Sequence, residues 1–314
     1  MATPAPKPNT LLAIMSKLGA VAFFMGMATL IKIASVRIPP GETVFFRSFF
    51  GLPIILVWIA TRGELRTGLK TDNPLGHFWR GLVGVTAMAM GFAALGLLPL
   101  SEVKAIQYAQ PVLVVIFAAM FLGEQVRAFR LTAVALGMIG VLIIMSPRLT
   151  AFADGSANPY LALGAVLAFG SAIGAALAHV FVRKLTMSEP TSAIVFWFSV
   201  TASTLSLLTL PFGWVWPTAT EWAVLVGAGL CGGIGQIFLT SSYRYADASV
   251  VAPFEYFSIL LALGIGYFVF EEVPTVVMLG GIALIVCAGI LIIWREGKLG
   301  KDRKQARKVM TPQG

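Results

Sequence analysis

A single carboxylate, Glu255, interrupts the apolar run VVAPFEYFSILL at residues 250–261, two residues after Pro253 and beside Tyr256. A charge at the centre of a membrane span costs about 2.5–3.5 kcal/mol on insertion scales, and such residues usually face a cavity or a partner. Glu255 could bind the polar part of a solute, or take up and release a proton. It could equally be a buried carboxylate satisfied by a neighbouring helix. Gln107, Gln110 and Gln236 also lie inside apolar stretches, and Ser258 follows Glu255 at helical spacing on a small, polar stripe with Ala262 and Gly266. Tyr108 and Tyr256 offer ring faces that can stack on a flat solute. These seven side chains are the candidate substrate-binding residues, with Glu255 the candidate for proton coupling. Hydrogen bonding between helices is the competing role for Gln236, and ordinary boundary placement that for the tyrosines.

Two cations join them. Lys32 and Arg47 stand near the outer ends of the first two apolar segments, where either could attract an anionic group or pair with Glu42. Lys32 could instead snorkel to the interface. His179 fits an interfacial residue better than a proton relay. GAGLCG at 227–232 has the G-x-G-x-x-G spacing but follows no strand, so close helix packing explains it. Cys231 and Cys287 give neither a disulfide framework nor a metal spacing. With two histidines, His77 and His179, and no phosphate loop or nucleophile elbow, catalysis has little material. No metal or cofactor is expected, and a lipid-modifying membrane enzyme is the disfavoured alternative.

The elements that hold these residues are membrane helices. Hydrophobic residues make up 58% of the chain and charged residues 12%, about half the charged share of an average soluble domain. Mean hydropathy is +0.86. Apolar runs near ~20 residues, each able to cross ~30 Å of hydrocarbon, recur along the chain. They predict an all-α integral membrane protein with ten spans, at 11–36, 42–61, 77–98, 101–122, 130–147, 160–182, 192–212, 220–243, 249–270 and 275–294. Lys and Arg concentrate on one side, from Arg62 to Lys70, at Arg80, Arg183 and Arg244, and in the basic tail at 296–314. The other side has Arg37, Lys104 and Arg148. That bias places both termini in the cytoplasm. The net charge of +9 is thus a topology signal, with the tail lying against anionic lipid rather than nucleic acid.

The chain also repeats itself. SEVKAIQYAQPVLVVIFAAMFLGEQ (101–125) lies over SVVAPFEYFSILLALGIGYFVFEEV (249–273) without a gap. Ser101 falls on Ser249, Gln107 on Glu255, Tyr108 on Tyr256, Gln110 on Ser258 and Glu124 on Glu272. The units expected are a tail at 1–10, a five-helix repeat at 11–149, a second at 150–295 and the tail at 296–314. Five spans per unit is odd, so the second unit enters with opposite polarity, as in many secondary carriers. Gln107 and Glu255 would then bracket the midplane from opposite sides. The first apolar segment follows Lys7 as in a signal peptide, but its length and place in the repeat argue against cleavage.

The ten spans, the duplicated halves, LGEQ at 122–125 and FEEV at 270–273 before a Gly-containing helix, and the Arg of FFRSFFGLP (45–53) resemble the EamA branch of the drug/metabolite transporter superfamily. The resemblance covers about residues 11–295. It implies a carrier that works without ATP hydrolysis in a bacterial-type inner membrane, on a small organic solute. The family includes exporters of amino acids and drugs and importers of riboflavin and S-adenosylmethionine. Riboflavin uptake is the leading specific expectation and metabolite export the alternative. The Trp-Ser pair of many relatives is missing from GAVAFFMGMATLIK, which weakens transfer from the aromatic amino acid exporters. The bilayer is the other expected partner, and a homodimer is open.

Overall fold

The computed structural model of the chain describes residues 9–65, 68–123, 128–153, 159–288 and 290–291. All regular structure among them is helical. The helices are α1 (Thr10–Ala34), α2 (Pro40–Thr61), α3 (Pro74–Leu97), α4 (Leu100–Gln107), α5 (Ala109–Leu122), α6 (Ala128–Ala153), α7 (Pro159–Leu185), α8 (Thr191–Ser206), α9 (Ala219–Tyr245), α10 (Ala248–Val251) and α11 (Ser258–Phe270). A further apolar helix, α12, covers Val276–Ala288. Short 3-10 turns follow α8 (Leu207–Phe212) and α10 (Ala252–Phe257). Among the described residues, seven stretches are long and apolar enough to cross a membrane: α1, α2, α3, α4 with α5, α7, α8 with its 3-10 turn, and α9.

Local chemistry sets the ends. The Asn9 side chain accepts from the amide of Leu12 at the start of α1, and Asn73 accepts from Gly76 ahead of Pro74 in α3. Thr218 and Glu221 close a reciprocal capping box on α9. Gly123 ends α5 with φ 66°, and Glu271 ends α11 with φ 55°. The two cap amides return to Ala118 and Gly266. These paired positions are the ones that the internal alignment superposes, although Glu271 has a side chain where the left-handed region favours glycine.

The fourth and ninth apolar segments are broken rather than continuous. Helix α4 stops at Gln107 and α5 restarts at Ala109, while residues 252–257 tighten into a 3-10 turn before α11. Proline is the cause in α4. Pro111 cannot donate back to Gln107, and its ring crowds that carbonyl. Pro253 falls at the start of the second break.

Glu272 crosses between the halves and caps α4. Its carboxylate accepts from the amides of Leu100 (2.8 Å) and Ser101 (3.1 Å) and from the Ser101 hydroxyl (2.9 Å). The negative charge meets the positive end of the helix. Main helix pairs also cross between the halves: α1 packs on α9, α3 on α7, and α2 on both α8 and α9. Close approach depends on glycine where α2 meets α9. A Cβ at Gly233 would lie 2.9 Å from the Gly51 carbonyl oxygen. Large apolar side chains such as Phe121, Phe212, Phe268 and Val276 point outward, as hydrocarbon surroundings require.

Candidate functional site

A cavity of about 170 Å³ lies among α1, α2, α3, α4, α5, α7, α8, α9 and the 252–257 turn. Arg47, Gln107, Gln110, Gln236 and Glu255 line it, so the structure brings together five of the nine side chains singled out from the sequence. Both halves contribute. The breaks described above lie at its wall, with Gln107 at the end of α4 and Glu255 within the 3-10 turn.

Glu255 is not alone there. The Lys17 ammonium from α1 lies 2.5 Å from its Oε2, with the lysine side chain 2% exposed and the carboxylate 23% exposed. The acid is therefore both a cavity-wall group and one half of an ion pair. Lys17 sits seven residues beyond the start of α1, roughly 10 Å along the axis, and is buried.

Amides and a hydroxyl extend the polar wall. Lys104 Nζ donates to Gln107 Oε1 (3.2 Å), and Gln107 Nε2 donates to the Ser171 hydroxyl (3.2 Å). Gln110 Nε2 meets His179 Nδ1 at 3.0 Å, and the Tyr243 hydroxyl meets the same nitrogen at 3.0 Å. With the amide donating, Nδ1 accepts and the ring proton sits on Nε2. His179 is therefore a wall residue rather than an interfacial one. Gln236 Nε2 is 3.5 Å from Thr240 Oγ1 within its own helix.

The two guanidiniums come from neighbouring helices. Arg47 stands seven residues after the start of α2 and Arg80 six after the start of α3, each 3% exposed. Their Cζ atoms lie 5.6 Å and 3.5 Å from the centroid of the Phe198 ring. Arg47 Nη2 donates to the Gly232 carbonyl and Nε to Met27 Sδ, both at 3.4 Å. A Cβ at Gly232 would lie 2.7 Å from Arg47 Nε, so this glycine of GAGLCG leaves room for the guanidinium. Glu42, the ion-pair partner considered for Arg47 and Lys32, instead accepts from the Val215 amide at 2.9 Å.

Other expected residues lie elsewhere. The Tyr108 hydroxyl is 2.7 Å from Ser258 Oγ, and Ser258 in turn donates to the Glu255 carbonyl at 2.7 Å. Tyr108 and Ser258 are 2% and 5% exposed, and neither is on the cavity wall. They join α5's start to α11 instead. The Tyr256 side chain lies outside the described residues. Lys32 donates to the carbonyls of Leu95 (3.2 Å) and Leu98 (2.7 Å) and stands 3.8 Å from Glu272. It ties α1 to the carboxyl end of α3.

Arg80, Lys104, Ser171 and His179 also line the cavity, and Lys17 pairs with Glu255 at its wall; the sequence reading did not single these five out as candidate site residues. Counting lysine and arginine for topology used Arg80 and Lys104 only as markers of the two sides of the membrane. The available signal was depth, since Lys17 and Arg80 each stand about two turns inside a capped helix.

Comparison with known proteins bears on the chain as a whole. The family model described as "EamA-like transporter family" matches residues 11–146 and 162–294. A pseudopaline exporter of Pseudomonas aeruginosa is 30% identical over 290 residues, 91% of this chain and 96% of that protein. An S-adenosylmethionine uptake transporter of Rickettsia felis is 28% identical over 267 residues, 85% and 87% of the two chains. A riboflavin transporter of Rhizobium johnstonii is 27% identical over 296 residues, 94% of each. A crystal structure 21% identical covers 90% of this chain and 98% of its own with a TM-score of 0.71, a likeness of fold. Apolar helices, a polar cavity walled by both halves and a match along most of the sequence lead to one conclusion: the chain is a multi-pass membrane protein that belongs to the EamA-like transporter family.

Proposed function

We propose that this chain is a secondary carrier of ten spans, built as inverted five-helix repeats at 11–149 and 150–295, that moves a small organic metabolite by alternating access. The observation that carries the reading is the polar cavity walled by both halves, with each half's broken helix at its edge. Carriers of this plan hold solute where helices are discontinuous, because freed backbone groups and polar side chains meet there. The helix pairs support the repeat. With five spans per half, a two-fold axis exchanges α1 for α7 and α9 for α3, and α1 on α9 does pack like α3 on α7.

Arg47, Gln107, Gln110, Gln236 and Glu255 are the proposed solute contacts. Glu255 is also the proposed coupling residue, in exchange between its ion pair with Lys17 and a protonated state. If Glu255→Gln protein keeps its full response to a pH gradient, that role is lost. Both termini are placed in the cytoplasm of a bacterial-type cell, with the carrier in the inner membrane. The positive-inside bias survives removal of the buried Arg80 from the count.

Two specific readings have support. Riboflavin uptake is supported by the relative that is named a riboflavin transporter. Metabolite export is supported by the relative named a pseudopaline exporter. Growth of a riboflavin auxotroph at limiting vitamin separates them. Rescue by this chain supports uptake, and failure of an expressed, membrane-inserted chain to rescue removes the riboflavin reading.

A further inference from the structure

We infer that the cavity selects a solute carrying an oxyanion, a carboxylate or a phosphate, and that Arg80 and Arg47 hold that group. The inference rests on the cavity being the carrier's solute site. Its basis is an imbalance of charge. The cationic wall groups are Arg47, Arg80 and Lys104, and the acidic one is Glu255. Glu255 is already closed on Lys17 at 2.5 Å. Lys104 donates to the neutral Gln107 amide.

Arg80 is the most telling group. It is 3% exposed, and its Nε and Nη1 are buried with no hydrogen-bond partner. A buried donor left unmade is costly, and more so when charged. Such a group is expected to find its partner in something the protein binds. The Phe198 ring, 3.5 Å from Arg80 Cζ, offers its face and no acceptor atom. Gly84, one turn along α3, leaves the space that Nη1 fills, since a Cβ there would collide with that nitrogen.

Arg47 shares the ring and has only neutral partners, a carbonyl and a thioether at 3.4 Å. Two guanidiniums around one aromatic ring repel each other until an anion joins them. The planar guanidinium fork matches carboxylate and phosphate oxygens in pairs, which an uncharged solute cannot exploit. Gln107, Gln110 and Gln236 then supply hydrogen bonds for the rest of the molecule.

The test uses the purified full-length protein in detergent. Its unfolding midpoint is followed against citrate, glutamate and inorganic phosphate, with riboflavin as the uncharged comparison and chloride holding ionic strength constant. At least one oxyanion is expected to raise the midpoint saturably, and Arg80→Gln to weaken its apparent affinity about tenfold or more, with part retained in Arg80→Lys. Without ligand, Arg80→Gln protein is expected to unfold no lower than the parent, because an unpartnered buried charge has been removed. The proposal is overturned if no oxyanion exceeds chloride, or if stabilisation survives Arg80→Gln. Counterflow of the same probe in proteoliposomes separates the two readings. Binding through Arg80 without exchange defeats the carrier and leaves the anion site. Exchange of riboflavin untouched by Arg80→Gln defeats the anion site and leaves the carrier.

Discussion

Lys17 of α1 and Glu255 of the 252–257 turn stand 2.5 Å apart, a buried cation meeting a cavity-wall acid. The pair joins the first helix to the break in the ninth apolar segment. Losing one member of such a pair costs more than losing both, because the survivor is left buried and charged. Glu255→Gln is expected to destabilise the protein by up to about 3–5 kcal/mol, reduced by the carboxylate's partial exposure. The double change Lys17→Met with Glu255→Leu is expected to recover most of that loss. Unfolding midpoints of the three proteins in detergent measure the difference.

Glu272 serves α4 as a cap from the other half of the chain. Glu272→Ala strips three hydrogen bonds from one carboxylate and is expected to cost about 1–3 kcal/mol. The internal alignment sets Glu124 on Glu272, so the duplication predicts a similar cost for Glu124→Ala. Parallel thermal unfolding of both variants checks it, and an indifferent Glu124→Ala would argue that the two halves do not share this device.

Tyr108 and Ser258 bond to each other behind the cavity wall. Tyr108→Phe is expected to remove about 0.5–1.5 kcal/mol of stability and to leave the half-saturating solute concentration unchanged. Transport kinetics at several concentrations test the second half of this statement. A several-fold rise would return Tyr108 to the solute site.

Gly233 lets α9 approach α2, and a Cβ there would press on the Gly51 carbonyl at 2.9 Å. Gly233→Ala is expected to cost about 1–3 kcal/mol through forced separation of the two helices. Equilibrium unfolding reads this directly, and a neutral result would mean that the helices part without strain.

Much of this was legible in the sequence, for identifiable reasons. Hydropathy and proline punctuation located the seven membrane-length stretches among the described residues, since each backbone must satisfy its own hydrogen bonds in lipid. Gln107, Gln110, Gln236 and Glu255 stood out because polar groups in apolar runs need a cavity or a partner, and all four line the cavity. The partners themselves were not legible. Lys17 and Glu255 are separated by most of the chain, and only packing of α1 against the second half joins them. Arg80 was hidden by its nearness to the cytoplasmic flank of a span, where cations are ordinary. Tyr108 and Ser258 bond each other off the cavity wall, a pairing between segments far apart in the chain that neither segment shows by itself.

The most direct test of the account is counterflow. Proteoliposomes holding the full-length protein are loaded with each member of a metabolite panel that includes riboflavin, amino acids and organic acids, and uptake of the labelled compound is followed. The account predicts saturable uptake of at least one solute, accelerated by the same solute inside. It also predicts loss of that uptake when Ala175→Trp fills the cavity wall. Uptake that rises linearly with concentration, shows no acceleration from within, or persists in Ala175→Trp protein would contradict a carrier working through this cavity.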